Sequence, residues 1–187
     1  MNTTIPEPFA HQTTTTEFIN EHENTLITSD PGTGKTRSVL DSFAASRSEQ
    51  SRLLILCPKS IMHAAWGADI QKFTPDLTFN LSLAGTKRLQ AFQSPSDVVI
   101  MNHDGITWLM NNPNLFTEDT NWWVCIDEFT AFKNPQAKRS KALVQLRQFF
   151  GRRVIMSGTP MPNTAMDLFN PMRFLDGGMR LGTNFFR

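Results

Sequence analysis

The sequence is short of three features that would each point to a particular class of protein: cysteine, long apolar runs and an excess of charge. Only two cysteines occur among its 187 residues, Cys57 and Cys125. Each lies in or ends an apolar run, so we expect buried free thiols in a reducing compartment rather than a disulfide. No apolar run is long enough to cross a bilayer, and the N-terminus has no basic and apolar signal segment. We therefore expect a cytoplasmic, or at least intracellular, protein without a membrane partner.

The charges are almost balanced, with 18 lysines and arginines against 17 acids and a net charge of +1. This balance neither requires nor excludes binding of nucleic acid, because a neutral protein can still carry a basic groove.

Neither a zinc site nor a nucleophilic catalytic set is expected. His11, His63 and His103 lack metal-ligand spacing, and no Ser-His-Asp or Cys-His set is evident.

The length fits one domain with a substantial core and is short for two. Hydrophobic residues make up 40% of the chain, as in soluble globular proteins. Neither an internal repeat nor a linker divides it. We therefore expect a single domain over residues 1–187.

Five short apolar runs rich in Val, Ile, Leu and Trp do not alternate with polar residues, which is typical of strands buried on both faces. Segments with helical spacing lie between them, so the sequence predicts an α/β fold. Its form should be a three-layer αβα sandwich with a mostly parallel central sheet. The runs are "TLITSD", "RLLILCP", "DVVIMN", "WWVCIDE" and "RRVIMSGTP", and helices are expected over 9–23, 35–47, 60–73, 86–92, 137–149 and 165–175.

Polar residues follow each of these apolar runs, at what would be the C-terminal ends of the strands. In an open α/β sheet this edge is where ligands bind. Five polar groups on one edge predict a site there. They are Ser29-Asp30, Cys57-Pro58-Lys59, Asn102-His103, Asp127-Glu128 and Ser157-Gly158-Thr159.

The segment "SDPGTGKT" (29–36) fits the P-loop pattern, with Ser29 in place of the first glycine. Its glycines let backbone N–H groups turn inward around phosphate oxygens, and the following helix adds its positive end. Lys35 can reach the β and γ phosphates, and Thr36 can hold Mg²⁺. A Gly-rich turn without a ligand is the alternative, and the preceding strand and following helix argue against it. We predict a nucleoside triphosphate site on Pro31, Gly32, Thr33, Gly34, Lys35, Thr36 and Arg37.

An acidic pair, Asp127-Glu128, ends the apolar run "WWVCIDE". An aspartate at such a strand end can hold the Mg²⁺ that Thr36 also binds, and the next glutamate can polarise the attacking water. On its own the pair could be a solvated strand end. With the P-loop upstream it predicts an ATPase, in which Lys35, Asp127 and Glu128 are the catalytic residues.

The later segment "VIMSGTPMPN" ends a strand in Ser157-Gly158-Thr159. Small hydroxyl residues there can hydrogen-bond both the acidic pair and a neighbouring lobe, which would couple the phosphate state to movement. When this segment is taken alone, an ordinary Ser/Thr turn before a helix is the better explanation.

In this order, these motifs resemble the first RecA-like lobe of superfamily two helicases, and most closely the Swi/Snf-type translocases of double-stranded DNA. The resemblance runs from about Phe9 to the C-terminus. The P-loop is generic, whereas the strings that begin with "IDEF" and "SGTP" are specific to the family. The strings that carry it are "HQ", "PGTGKT", "CPKSIMHAAW", "MNHDGI", "IDEFTAFKNPQAKRSKAL" and "SGTPMPNTAMDLFNPMRFLDGG".

The resemblance implies a role for further residues. Gln12 would read adenine through its amide. Ser157, Gly158 and Thr159 would couple ATP to movement. Lys59 and Ser60, and also Asn102 and His103, would contact the DNA backbone without reading sequence. One departure is Thr130, which stands where the family has a histidine that links ATP to the third helicase motif, here Ser157-Gly158-Thr159. This coupling would therefore use a different hydrogen bond.

Family members have two such lobes, and the second supplies an arginine finger. The resemblance therefore implies that this chain is one lobe of a larger motor, either a fragment or a short relative of the kind found in phage genomes, acting in a bacterial host. Two alternatives remain open, a strand-separating DNA or RNA helicase and a non-catalytic, nucleotide-gated binding module. A basic stretch could line a DNA track, although a solvated helix face fits it better. It comprises Lys133, Lys138, Arg139, Lys141, Arg147, Arg152 and Arg153.

Overall fold

Six parallel strands form the central sheet of the computed structural model, which describes residues 5–158 and 164–184. The strand order is β1-β6-β5-β2-β4-β3. The strands are β1 (Asn24–Thr28), β2 (Ser51–Cys57), β3 (Phe79–Ser82), β4 (Val98–Asn102), β5 (Asn121–Asp127) and β6 (Phe150–Ser157).

The described residues form seven α-helices, of which α1 precedes the first strand and the others connect or follow the strands. The segment predicted as one helix over 60–73 is more irregular, because it contains a 3₁₀ turn (Lys59–Ile61), a π-helical turn (Met62–Gly67) and then α3. The α-helices are α1 (Ala10–Glu21), α2 (Lys35–Ser46), α3 (Ala68–Phe73), α4 (Thr86–Gln93), α5 (Gly105–Met110), α6 (Lys138–Leu146) and α7 (Phe169–Asp176).

Alternate residues of the central strands enter two separate hydrophobic clusters, one on each face of the sheet. Leu53 and Ile55 of β2 join the cluster beneath α1, α2 and α3, whereas Leu54 and Leu56 join the one beneath α4 to α7. Burial on both faces explains why the strands read as continuous apolar runs. The predicted three-layer α/β sandwich is thus confirmed, as are the buried free thiols of Cys57 and Cys125.

The sixth strand, β3, lies in the segment "FTPDLTFNLSLAG", whose pattern is that of an ordinary strand and turn. The sequence interpretation missed α5 and the irregularity after β2. Helix α5 has only six residues, too few to show helical periodicity. Within the described residues, no helix combines the length and the apolar character that a bilayer crossing requires.

The second half of the basic stretch stabilises the fold. Arg153 is 9% exposed and its guanidinium donates to four oxygens: Asn24 Oδ1 (2.6 Å) and the carbonyls of Leu175 (3.2 Å), Arg147 (3.1 Å) and Phe150 (2.5 Å). Arg152 lies over the ring of Trp123, 4.6 Å from its centroid. These two cations therefore hold β6 against its neighbours.

Replacing Arg153 with alanine should destabilise the protein. The change removes a buried network of hydrogen bonds that joins β1, β6 and the end of α7, so the free energy of unfolding should fall by about 3 kcal/mol. Urea denaturation measures this. Arg180→Ala is the control, because Arg180 is exposed. Equal stability of the two variants would contradict this role for Arg153.

Candidate nucleotide-binding site

The sheet order brings three distant segments together at one edge. β6 lies between β1 and β5, and its last residue, Ser157, pairs with Thr28, immediately before the P-loop. On the other side of β6, Met156 pairs with Asp127. The P-loop, Ser157 and the acidic pair therefore stand at the ends of three adjacent strands.

The P-loop has the backbone that an anion site needs. Gly32 and Gly34 both have φ of +80°, a region that favours glycine and in which backbone N–H groups can converge on an anion. Lys35 begins α2 and donates from Nζ to the carbonyls of Ser29 (2.8 Å) and Asp30 (3.0 Å). Its ammonium is thus held at the loop. The loop residues fit a triphosphate, with Thr36 half-buried in the first turn of the helix.

Gln12 braces this loop from α1. Its Nε2 donates to the carbonyl of Thr33 (3.2 Å), and its Oε1 accepts from the backbone N–H of Phe9 (3.0 Å). A side chain at position 34 would collide with it, since a Cβ there would lie 2.0 Å from Gln12 Nε2. Both ends of the amide are engaged, so the structure gives Gln12 a structural role, and adenine reading stays a prediction.

A cavity of ≈ 410 Å³ opens beside the loop, next to α1. His11 lines it and its Nε2 lies 2.8 Å from the carbonyl of Thr33. Lys35 also lines it, so the cavity reaches the predicted phosphate site. It is of a size that a small ligand can enter.

The carboxylate of Asp127 lies between the P-loop and the core. Its Oδ2 accepts a hydrogen bond from Trp66 Nε1 (2.9 Å), and its backbone carbonyl lies 2.7 Å from His103 Nε2. Burial raises the pKa of this carboxyl, whereas the indole hydrogen bond and the charge of Lys35 act to lower it. Asp127 is thus a half-buried carboxylate that feels the positive charge of Lys35.

Glu128 has an unusual backbone. Among the described residues it is the only one other than glycine with positive φ (59°). Such a conformation costs roughly 1 kcal/mol or more and is found at functional sites. Its Oε1 accepts hydrogen bonds from Ser157 Oγ (2.6 Å) and Thr130 Oγ1 (3.0 Å). The predicted link from Ser157 to the acidic pair is present, and Thr130 binds the same oxygen.

The third motif also contacts the P-loop directly. Gly158 lies against Pro31, since a Cβ at position 158 would be 3.1 Å from Pro31 Cγ. Thr159 lies outside the described residues. The motif's first two residues thus touch both the acidic pair and the phosphate loop.

The predicted DNA-contact residues lie further along the same edge. β2 and β4 are neighbours with Cys57 opposite Asn102, so both predicted segments follow adjacent strands. Lys59 and Ser60 are exposed, and Asn102 is half-buried with its Oδ1 3.4 Å from Arg88 Nη2. The DNA contacts themselves stay predictions.

The ring of His103 faces the acidic strand end. Burial lowers its pKa, and since a carbonyl oxygen can only accept, Nε2 donates its proton to the backbone carbonyl of Asp127. His103 therefore connects the end of β4 to the nucleotide site, a link that the sequence did not indicate.

Arg37 points away from the loop. Its guanidinium donates to the carbonyls of Pro6 (2.5 Å) and Glu7 (3.2 Å), pairs with Asp41 and lies over the ring of Phe73. Its observed role is to hold the segment before α1. Contact with nucleotide stays a prediction for this residue.

Trp66 is a second contact that the sequence did not reveal. It ends the segment "CPKSIMHAAW", but a tryptophan in an apolar segment is usually predicted to be a core residue. Only the three-dimensional arrangement shows that its N–H reaches a carboxylate 61 residues away along the chain.

Known proteins share both the sequence and the fold. The SNF2-related domain family matches residues 11–186. The TATA-binding protein-associated factor mot1 of Aspergillus fumigatus is 29% identical over 185 residues, which cover 89% of this chain and 9% of that protein. Protein p41 of Acyrthosiphon pisum secondary endosymbiont phage 1 is 26% identical over 201 aligned positions, covering 99% of this chain and 42% of that protein.

A solved structure has the same fold. It is the Sulfolobus solfataricus SWI2/SNF2 ATPase core in complex with double-stranded DNA, with a TM-score of 0.75 and 24% identity over 94% of this chain and 38% of that one. The chain thus spans less than half the length of each of these relatives. It belongs to the SNF2-related domain family and has the fold of a RecA-like lobe of the SWI2/SNF2 ATPase core.

Proposed function

We propose that this chain is the ATP-binding lobe of a Swi/Snf-type motor that couples ATP hydrolysis to movement on double-stranded DNA. The observation that carries the proposal is the meeting of the P-loop, Ser157 and the acidic pair on three adjacent strand ends. Membership of the SNF2-related family supports it.

In this proposal the P-loop amides and Lys35 bind the triphosphate. Thr36 and Asp127 would hold Mg²⁺, since hydroxyl and carboxylate oxygens are ligands that this ion takes. Bound Mg²⁺ would neutralise charge on the phosphates. Lys35 must exchange its two carbonyl partners for phosphate oxygens, which bear full charge and make stronger hydrogen bonds.

Glu128 would polarise the attacking water in hydrolysis. Its Oε1 is occupied by two hydroxyl groups, which orient the carboxylate. Because one of these belongs to Ser157 of the third motif, a shift of that motif would alter the position of the carboxylate. Thr130 thereby fills the coupling position that a histidine holds elsewhere in the family.

DNA would bind along the adjoining strand ends of β2 and β4. Lys59 and Ser60 are exposed there and can reach phosphates. The hydrogen bond from His103 to Asp127 offers a physical route from that surface to the metal site. A second lobe would supply an arginine finger, so we expect the isolated chain to bind ATP and hydrolyse it slowly.

Glu128→Gln should abolish most of the hydrolysis and leave ATP binding intact. The amide keeps an oxygen for Ser157 and Thr130 but cannot act as a base, so turnover should fall roughly 100-fold. Phosphate release, measured with and without duplex DNA, tests this. Glu118→Gln is the control, since Glu118 is an exposed loop residue. Unchanged turnover would refute the role of Glu128, and strong DNA-stimulated turnover by the wild-type chain would refute the need for a second lobe.

Lys35→Ala should weaken ATP binding. Loss of the ammonium removes a charge-assisted contact with phosphate worth about 2 kcal/mol, which is roughly 30-fold in Kd. Calorimetric titration with ATP measures it. Lys72→Ala serves as the matched control because Lys72 lies at the far end of α3. If both variants bind ATP like the wild type, the P-loop does not hold the phosphates.

Duplex DNA affinity should fall steeply as salt rises. Phosphate contacts release counterions, so log K against log[salt] should be linear, and Lys59→Ala should reduce the magnitude of its slope by about 1. Fluorescence anisotropy on one duplex of arbitrary sequence measures this. Lys72→Ala should leave the slope unaltered. A flat salt response, or an equal effect of the two substitutions, would count against a DNA role for Lys59.

A further inference from the structure

The indole of Trp66 lies in the core directly behind the acidic strand end. The residue is 0% exposed, and its Nε1 donates to Oδ2 of Asp127 over 2.9 Å. It belongs to the hydrophobic cluster beneath α1, α2 and α3, together with Cys57 and Cys125. A rigid, fully packed side chain therefore presents its single polar atom to the predicted metal ligand.

The backbone that carries Trp66 is also unusual. Met62–Gly67 forms a π-helical turn between a 3₁₀ turn and α3. Such turns are rare, occur mostly as single insertions and concentrate at functional sites. The next residue, Gly67, is tightly packed, because a Cβ there would lie 3.2 Å from Phe79 Cζ. The wide turn and this close packing constrain the backbone from which the indole of Trp66 projects.

The chemistry of the two groups is complementary. An indole N–H can only donate, and an ionised carboxylate can only accept. The hydrogen bond occupies one site on Oδ2 and resists rotation of the carboxylate. His103 restrains the same residue at its backbone carbonyl. Asp127 is therefore held at two points by groups that would not themselves bind the metal.

We infer that Trp66 is a positioning residue for Mg²⁺: its indole N–H holds the Asp127 carboxylate in the orientation that takes the metal of a bound nucleotide. The inference rests on the proposed nucleotide site. Partners of this kind, which orient a metal ligand without touching the metal, typically alter metal affinity by roughly 10- to 100-fold when they are removed.

The competing explanation is that Trp66 is an ordinary core residue whose N–H happens to find an acceptor, as buried indoles usually do. Trp122 allows the two explanations to be separated. It is 1% exposed, lies in the cluster on the opposite face of the sheet, and its Nε1 has no hydrogen-bond partner among the described residues. Trp122→Phe therefore removes an equally buried indole without removing a contact to the site.

The test compares Trp66→Phe with Trp122→Phe in the full chain. ADP binding is measured by calorimetry without Mg²⁺ and over a series of Mg²⁺ concentrations, with thermal unfolding recorded for each variant. Both substitutions should lower thermal stability. Trp66→Phe alone should raise the Mg²⁺ concentration needed for half-maximal enhancement of ADP binding, by roughly tenfold, and leave metal-free ADP affinity unchanged.

Two results would overturn the inference. One is a Mg²⁺ dependence of Trp66→Phe equal to that of Trp122→Phe. The other is an equal loss of ADP affinity with and without the metal, since that would indicate general damage to the site. A wild-type chain that binds no ADP at any Mg²⁺ concentration would instead overturn the proposed function, and this inference with it.

A second measurement keeps the inference testable if Trp66→Phe does not fold. The protein has four tryptophans, so its four indole N–H resonances can be resolved by ¹⁵N labelling. Trp108→Phe, Trp122→Phe and Trp123→Phe each remove one resonance, and the one that remains in all three variants belongs to Trp66. Adding Mg²⁺ to the ADP-bound protein should shift the Trp66 resonance and leave that of Trp122 in place. A stationary Trp66 resonance during saturable Mg²⁺ binding would contradict the inference.

Discussion

The position of β6 between β1 and β5 is the constraint on which the whole site depends. Parallel pairing aligns Ser157 with Thr28 on one side and Met156 with Asp127 on the other. A phosphate loop, a hydroxyl group and two carboxylates that are remote in the chain thereby become neighbours. Parallel strands need long crossover connections, and here helices in these connections cover both faces of the sheet. The same pairing thus creates the two cores and brings these polar groups together at the strand ends.

Around this edge, hydrogen bonds connect neighbouring residues to Asp127 and Glu128, the two residues of the acidic pair. Trp66 and His103 hold Asp127, while Ser157 and Thr130 hold Glu128. The left-handed backbone of Glu128 shows that the turn after β5 is constrained by its surroundings rather than relaxed. A change at Trp66, Ser157 or Thr130 would therefore alter a carboxylate directly, and a change at His103 would act on the backbone of Asp127.

The basic residues divide into two structural groups. Arg37, Arg152 and Arg153 have their guanidinium groups committed to backbone carbonyls and aromatic rings, and they hold the N-terminal segment and β6 in place. Lys59 and Lys133 are exposed. A run of positive charge in the sequence is therefore not one surface, because alternate strand positions and helix faces send neighbouring side chains in different directions.

The sequence alone determined the α/β class, the P-loop and the acidic strand end, because unbroken apolar runs and local glycine patterns express backbone requirements directly. It also predicted that the P-loop, the acidic pair and Ser157 would lie on one edge of the sheet. Only the tertiary structure decided which of them touch: that Ser157 and Thr130 share one oxygen of Glu128, that Trp66 binds Asp127, and that Gln12 braces the P-loop. These contacts join residues up to 61 positions apart, and they arise from strand order and from an irregular π-helical turn. Neither leaves a periodic pattern in the sequence, so the sequence indicated that Ser157 can reach the acidic pair but not which atoms meet.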